Sequence, residues 1–189
     1  MHIQIKRIIS SRPTLEILEI YKLKIEHRTI DLQRDRDFLL EMHCRINYEC
    51  EMPWVRETPY SEYREIWLQS EGVKEYLDAL SDSMQDSRTI ADIWENAQTN
   101  EIVAYVWMIF HDIKSDSISF AELQDIAVGE DYRRQGIAER ICDYCIDAAR
   151  KSGAKMMRSG TSASNISSRK LHEKLGFSNY RVEYEKLLD

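Results

Sequence analysis

The stretch that decides the reading of this chain is Leu123-Gln124-Asp125-Ile126-Ala127-Val128-Gly129-Glu130-Asp131-Tyr132-Arg133-Arg134-Gln135-Gly136-Ile137-Ala138. An apolar, strand-like run, Ile126-Ala127-Val128, leads into a basic turn with a glycine in it, and an amphipathic helix begins at once. A phosphate-bearing ligand needs that arrangement: free backbone N–H groups at a helix N-terminus, a residue without a side chain where the backbone must come close, and positive charge nearby.

Upstream, Ile118–Val128 reads as one strand whose apolar side changes parity between Leu123 and Ile126, as a single bulged residue would cause. Downstream, Ile137, Ala138, Ile141, Cys142, Cys145 and Ala149 recur at helical spacing, Arg150 and Lys151 fall in the last turn, and Gly153 is a natural stop. Lys155–Arg158 reads as a short strand. The polar loop Ser159–Ser164 then leads to Asn165, which can cap a helix running through Leu175 to Gly176. Phe177 to about Leu187 reads as a final strand.

The amino-terminal half is punctuated more sparsely. Ile3, Ile5, Ile8 and Ile9 suggest a short strand, and Leu15 to Ile25 fits strand and helix equally. Glu26–Leu32 reads as a strand and Phe38 to Ile46 as a helix. Pro53 and Pro59 bracket a loop holding Trp54, and Tyr60 to about Leu80 reads as a second helix. Thr89–Glu95 and Ile102–His111 form two strands joined by a hairpin turn across Gln98–Glu101.

Composition bounds the classes. With 189 residues, 43% hydrophobic, three prolines and six glycines, the chain fits one domain of fairly long elements. No stretch approaches a transmembrane span, and residues 1–7 lack the apolar core of a secretory signal, so a soluble cytoplasmic protein is expected. A net charge of −7 argues against nucleic acid as the main partner. From Asp31 to Glu101 there are 17 acidic and 7 basic residues, and from Asp131 to Gly176 there are 5 acidic and 10 basic. That split fits a site for an anion and a cation together, and solvated helix faces alone would also produce it. Cys142 and Cys145 have redox-motif spacing but lie inside a helix, not at its start. All four cysteines therefore read as small core residues, with no metal expected.

Arg133-x-x-Gly136-x-Ala138 after Val128, with Asn165 and Leu171-His172-Glu173-Lys174-Leu175-Gly176-Phe177 downstream, resembles the GNAT superfamily of acyl-CoA-dependent N-acetyltransferases. The resemblance implies a mixed α/β (α+β) fold. Its mixed, mostly antiparallel twisted sheet would be flanked by helices in the order β-α-α-β-β-β-α-β-α-β. The domain would cover residues 25–189, with residues 1–24 as an extension packed on it. Acetyl-CoA would be the co-substrate and an amine the acceptor. By resemblance, N–H groups of Arg134, Gln135, Gly136, Ile137 and Ala138 cradle the pyrophosphate with Arg133 nearby, Ile126 and Val128 offer backbone partners to the pantetheine arm, and Asn165 bonds the same arm.

Transfer needs a base for the amine and an acid for the departing thiolate. Glu122, eleven residues before Arg133, resembles the glutamate of the histone-acetylating branch, and Asp125 competes with it. Many relatives have tyrosine where this chain has His172. Imidazole can donate a proton there, or His172 can merely pack; Tyr180 is a remote substitute. The acceptor pocket falls to the segment containing Tyr48, Glu49, Glu51, Trp54, Glu57 and Tyr60. Trp54, Glu51 and Tyr60 suit a cationic amine, and an acidic solvated helix with Trp54 closing the core is the competing reading. Small-molecule amines lead, with a protein or peptide acetyltransferase and a non-catalytic acyl-CoA sensor as alternatives. Exposed edge strands leave room for a homodimer.

Overall fold

The sheet is built outward from a hairpin. The computed structural model describes residues 23–51, 55–113, 118–186 and 188. Strands β2 (Ile90–Asn96) and β3 (Ile102–Ile113) pair antiparallel. Their turn is closed by Asn96, whose carbonyl accepts the Asn100 N–H at 2.8 Å and whose side chain accepts the Gln98 N–H at 2.9 Å. Asn100 takes the left-handed backbone (φ 58°), which asparagine tolerates. β1 (Ile25–Thr29) adds to β2 and β4 (Ile118–Val128) to β3, both antiparallel, and β5 (Met156–Ser159) runs parallel to β4. The order is β1-β2-β3-β4-β5, a five-stranded mixed sheet.

Five helices cover it: α1 (Arg36–Cys50), α2 (Tyr60–Leu68), α3 (Glu71–Ser83), α4 (Ile137–Lys151) and α5 (Ile166–Lys174). On one face α1 and α3 bury Leu39, Leu40, Met42, Tyr76 and Leu80 against Ile93, Tyr105 and Trp107. On the other, α4 buries Ile137, Ile141, Cys142, Cys145 and Ala149 against Val103, Val106, Met108, Ala121 and Leu123. The cysteines of α4 occupy its apolar stripe as their spacing predicts, and burial pushes the Cys142 thiol up to about 12. All four cysteines are free. The β1–α1 corner is pinned by Arg28, which donates twice to the fully buried Asp35 at 2.7 Å and reaches Glu95 as well.

Two expectations are corrected. The helix expected over Tyr60–Leu80 is two, α2 and α3, because Ser70 takes extended backbone (φ −85°, ψ 162°) and its hydroxyl donates to the Trp67 carbonyl at 2.7 Å. A serine that competes for a helix carbonyl ends one helix and starts the next. The strand expected after Phe177 does not form over residues 177–186. Tyr180, Val182 and Tyr184 alternate as a strand would, but their side chains are 63, 67 and 91% exposed, so no packed face fixes them in a ladder. The strand and helix readings before Leu23 fall outside the described residues.

Candidate active site

The turn between β4 and α4 carries two left-handed residues, Arg134 (φ 62°) and Gly136 (φ 77°). Left-handed residues in such turns curl successive N–H groups into an anion-accepting hollow. The N–H groups of Arg134 through Ala138 donate to no acceptor among the described residues, and α4 has no side-chain cap at its start. An ideal Cβ on Gly136 would meet nothing within 4 Å, so space stands open in front of the turn. Arg134, Gln135 and Gly136 are exposed. Unpartnered donors, a helix N-terminus and open space fit a pyrophosphate. Arg133 serves the turn itself: its Nε donates to the Val128 carbonyl at 3.2 Å and its guanidinium reaches Glu49 at 3.4 Å. Gln135 bridges back to the Asp131 carbonyl at 3.2 Å.

β4 carries the bulge at the expected place. Its register against β3 jumps from Met108↔Leu123 to Trp107↔Asp125, which leaves Gln124 as the extra residue. Leu123 therefore faces α4, as do Ile126 and Val128, while Asp125 and Ala127 turn towards the α1/α3 face. Pairing with β5 covers Phe120–Leu123 and stops there. From Gln124 onward β4 is held by β3 alone, and its other edge, Ile126 and Val128 included, is open to a ligand's backbone-like groups.

Glu122 lies in the paired part of β4, opposite Arg158 of β5. Its Oε2 is 2.8 Å from His111 Nε2, a contact without hydrogen-bond alignment. Asp125, only 7% exposed, accepts two bonds on one oxygen: from His43 Nδ1 at 2.7 Å and from Tyr105 Oη at 2.8 Å. A carboxylate accepts only, so His43 carries a proton on Nδ1, and in the neutral ring Nε2 keeps the lone pair. His43, on α1, stacks on Tyr76 at 3.8 Å between ring centroids and abuts Trp67 at 5.7 Å. The sequence offered no partner for His43; the one signal was a carboxylate beside a predicted bulge.

Asn165 caps α5, its Oδ1 accepting the Ser168 N–H at 3.1 Å, and among the described residues both amide hydrogens are free for another acceptor. His172 donates Nδ1–H to the Ser168 carbonyl at 2.7 Å and meets Phe177 edge-on. In the neutral ring its Nε2 then accepts; only the imidazolium would give a proton from that atom. Tyr180 lies over Arg158, whose guanidinium also covers Phe120. On the acceptor side, the Tyr60 hydroxyl donates to Glu41 at 2.9 Å, and Arg45 and Arg64 pair with that same glutamate, so Tyr60 stitches α1 to α2. Burial and the Glu41 carboxylate push its phenol well above the ordinary value. Among the described residues, the Glu51 carboxylate accepts a hydrogen bond from the Tyr63 hydroxyl at 3.4 Å and has no ion-pair partner. Burial with Glu51 nearby pushes the Tyr63 phenol up to about 12. Trp54 lies outside the described residues.

A family model, the acetyltransferase (GNAT) family, matches residues 49–177. No curated protein matches the chain in sequence. Solved structures share the fold. Glucosamine-6-phosphate N-acetyltransferase from Arabidopsis thaliana is 12% identical with a TM-score of 0.59, over 88% of this chain and 99% of that one. Ribosomal-protein-alanine N-acetyltransferase from Brucella melitensis is 16% identical with a TM-score of 0.57, over 87% and 100%. A protein described as a transcriptional regulator from Bacillus halodurans is 15% identical with a TM-score of 0.62, over 87% and 100%. At these identities the likeness is one of fold, and the acceptors differ among the names.

Proposed function

The chain belongs to the GNAT acetyltransferase family, and from that premise we propose that it moves an acetyl group from acetyl-CoA to the primary amine of a small molecule. Bound acetyl-CoA supplies an activated acyl carbon and a thiolate leaving group. The observation that carries the reading is the run of N–H groups from Arg134 to Ala138, unpartnered among the described residues, at the end of the open β4 edge. Those donors would hold the pyrophosphate, with the Arg134 guanidinium adding charge. Ile126 and Val128 would bond the pantetheine arm along the edge that β5 leaves free, and the spare amide of Asn165 would hold the same arm. Arg133 would keep the turn in shape through Val128 and Glu49.

For the acceptor, Glu51 supports a cationic amine, because its carboxylate is half-buried beside Tyr63 and carries no ion-pair partner among the described residues. His172 would orient the pantetheine through Nε2, and would act as an acid only when doubly protonated.

Acetyl-CoA-dependent thiol release against polyamines, aminoglycosides, amino acids and lysine-bearing peptides tests the proposal. Rapid release with one small amine is the expected result. Release with peptides alone would replace the small molecule by a protein acceptor. Binding of acetyl-CoA with release from none would favour a sensor.

A further inference from the structure

The sheet carries two constellations of the same three side chains, one on each face. On the α4 face, His27 Nδ1 is 3.0 Å from Asp92 Oδ2, Tyr144 Oη donates to that oxygen at 3.1 Å, and Trp94 stacks on the imidazole. On the α1/α3 face, His43, Asp125 and Tyr105 repeat the pattern at 2.7 and 2.8 Å, with Tyr76 stacked on the imidazole. The first is set into β1 and β2, at the end of the sheet away from the open edge. The second begins one residue past the bulge, where β4 parts from β5.

We infer that His43 is the catalytic base, with Asp125 and Tyr105 as positioning residues; this rests on the acetyl-transfer reading above. Three observations support it. His43 Nδ1 is committed to Asp125, so Nε2 is the atom left to accept a proton, and it has no partner among the described residues. The ring cannot turn freely, held by stacking on Tyr76 and by Trp67, yet its side chain keeps 18% of its surface exposed. The buried Tyr76 hydroxyl makes no well-aligned hydrogen bond among the described residues and lies by Tyr105 and Asp125, so it belongs to the same polar cluster.

Asp125 itself is poorly suited to take the proton, because the oxygen it presents already accepts two bonds and almost none of it reaches solvent. Glu122 sits where β4 is still paired to β5, engaged with His111. In the transfer, the bound ammonium first gives one proton to solvent, and the neutral amine nitrogen then bonds to the acetyl carbon as the carbon–sulfur bond breaks. One amine proton passes to His43 Nε2, and one proton, from the imidazolium or from solvent, ends on the departing sulfur. No oxidant, reductant or third reactant is needed.

The test begins with the wild-type full chain and diethyl pyrocarbonate, which acylates unprotonated imidazole, with the site located by peptide mass spectrometry. Saturating acetyl-CoA should slow modification of His43 at least tenfold and leave His27 unchanged. Equal His43 rates with and without acetyl-CoA, binding being confirmed by calorimetry in the same samples, would overturn the inference. Absence of calorimetric binding would overturn it together with the co-substrate reading, and is told apart by that readout.

Kinetics follow with the best amine from the panel. His43→Gln should lower kcat by about 10²- to 10⁴-fold, leave the KM for acetyl-CoA within about twofold, and remove the acid limb of the pH profile. Asp125→Asn should lower kcat less and abolish a downfield imidazole N–H resonance from His43 in the free protein. His27→Gln should change none of these. A His43→Gln enzyme that keeps both rate and acid limb would reduce the constellation to packing and sink the proposal.

Discussion

Arg134 sits at φ 62°, where an L side chain is held at a cost of about 1 kcal/mol or more. Five residues from Gly129 and two before Gly136, the strain falls in the turn whose N–H groups are left without partners among the described residues. That pairing of strain and unmet donors is the signature of a turn shaped for something outside the chain. Arg134→Gly should therefore separate stability from binding. Urea denaturation should show a gain of about 0.5–1 kcal/mol, while calorimetric affinity for acetyl-CoA falls severalfold as the guanidinium is lost. A variant that gained affinity would remove Arg134 from the phosphate site.

At the scale of elements, the bulge at Gln124 sets the chemistry of β4. Were Gln124 paired in strict alternation instead of bulged, Asp125 would fall on the α4 face and Ile126 against α1. Deleting Gln124 should keep Leu123 opposite Met108 and Asp125 opposite Trp107 on their present faces while making the ladder regular, so circular dichroism should show a thermal midpoint within about five degrees of the wild type while calorimetric affinity for acetyl-CoA falls as the departure of β4 from β5 is lost. This element was legible in advance, because a parity break is written in the order of apolar residues. So were the glycine turn and the stripe of α4, both local patterns. His43 was not, since its contact with Asp125 spans 82 positions and depends on how α1 docks across the sheet. Ser70 was passed over because a single hydroxyl decides between one helix and two. The carboxyl-terminal alternation was legible but misleading: Tyr180, Val182 and Tyr184 have strand spacing and lie exposed. Replacing all three with serine should shift the thermal midpoint by no more than a few degrees. A larger loss would mean that the segment packs as a strand.

Across the whole molecule, the acidic half is less free than its charge suggests. Glu41 pairs with Arg45 and Arg64, Glu49 with Arg133, and Glu95 with Arg28 and Arg34, so much of the excess holds elements together. Asp35 matters most. Burial alone would raise its carboxyl, but the paired bonds from Arg28 and the Asp31 N–H hold it below the ordinary value. A carboxyl lowered by folding contributes stability that is whole above its unfolded value, about 3.9, and is lost as pH falls through the folded one. Asp35→Asn should cost about 3 kcal/mol at neutral pH and flatten the acid side of the stability curve, read by urea titrations at several pH values. The four free thiols carry a practical consequence. Cys44, Cys142 and Cys145 are buried and their thiols are pushed up, so at neutral pH they stay protonated and shielded; Cys50 alone is half-exposed. A colorimetric thiol reagent added to the native enzyme should therefore register a fixed blank of about one equivalent per chain, reached early and then constant, against which liberated CoA accumulates as a slope.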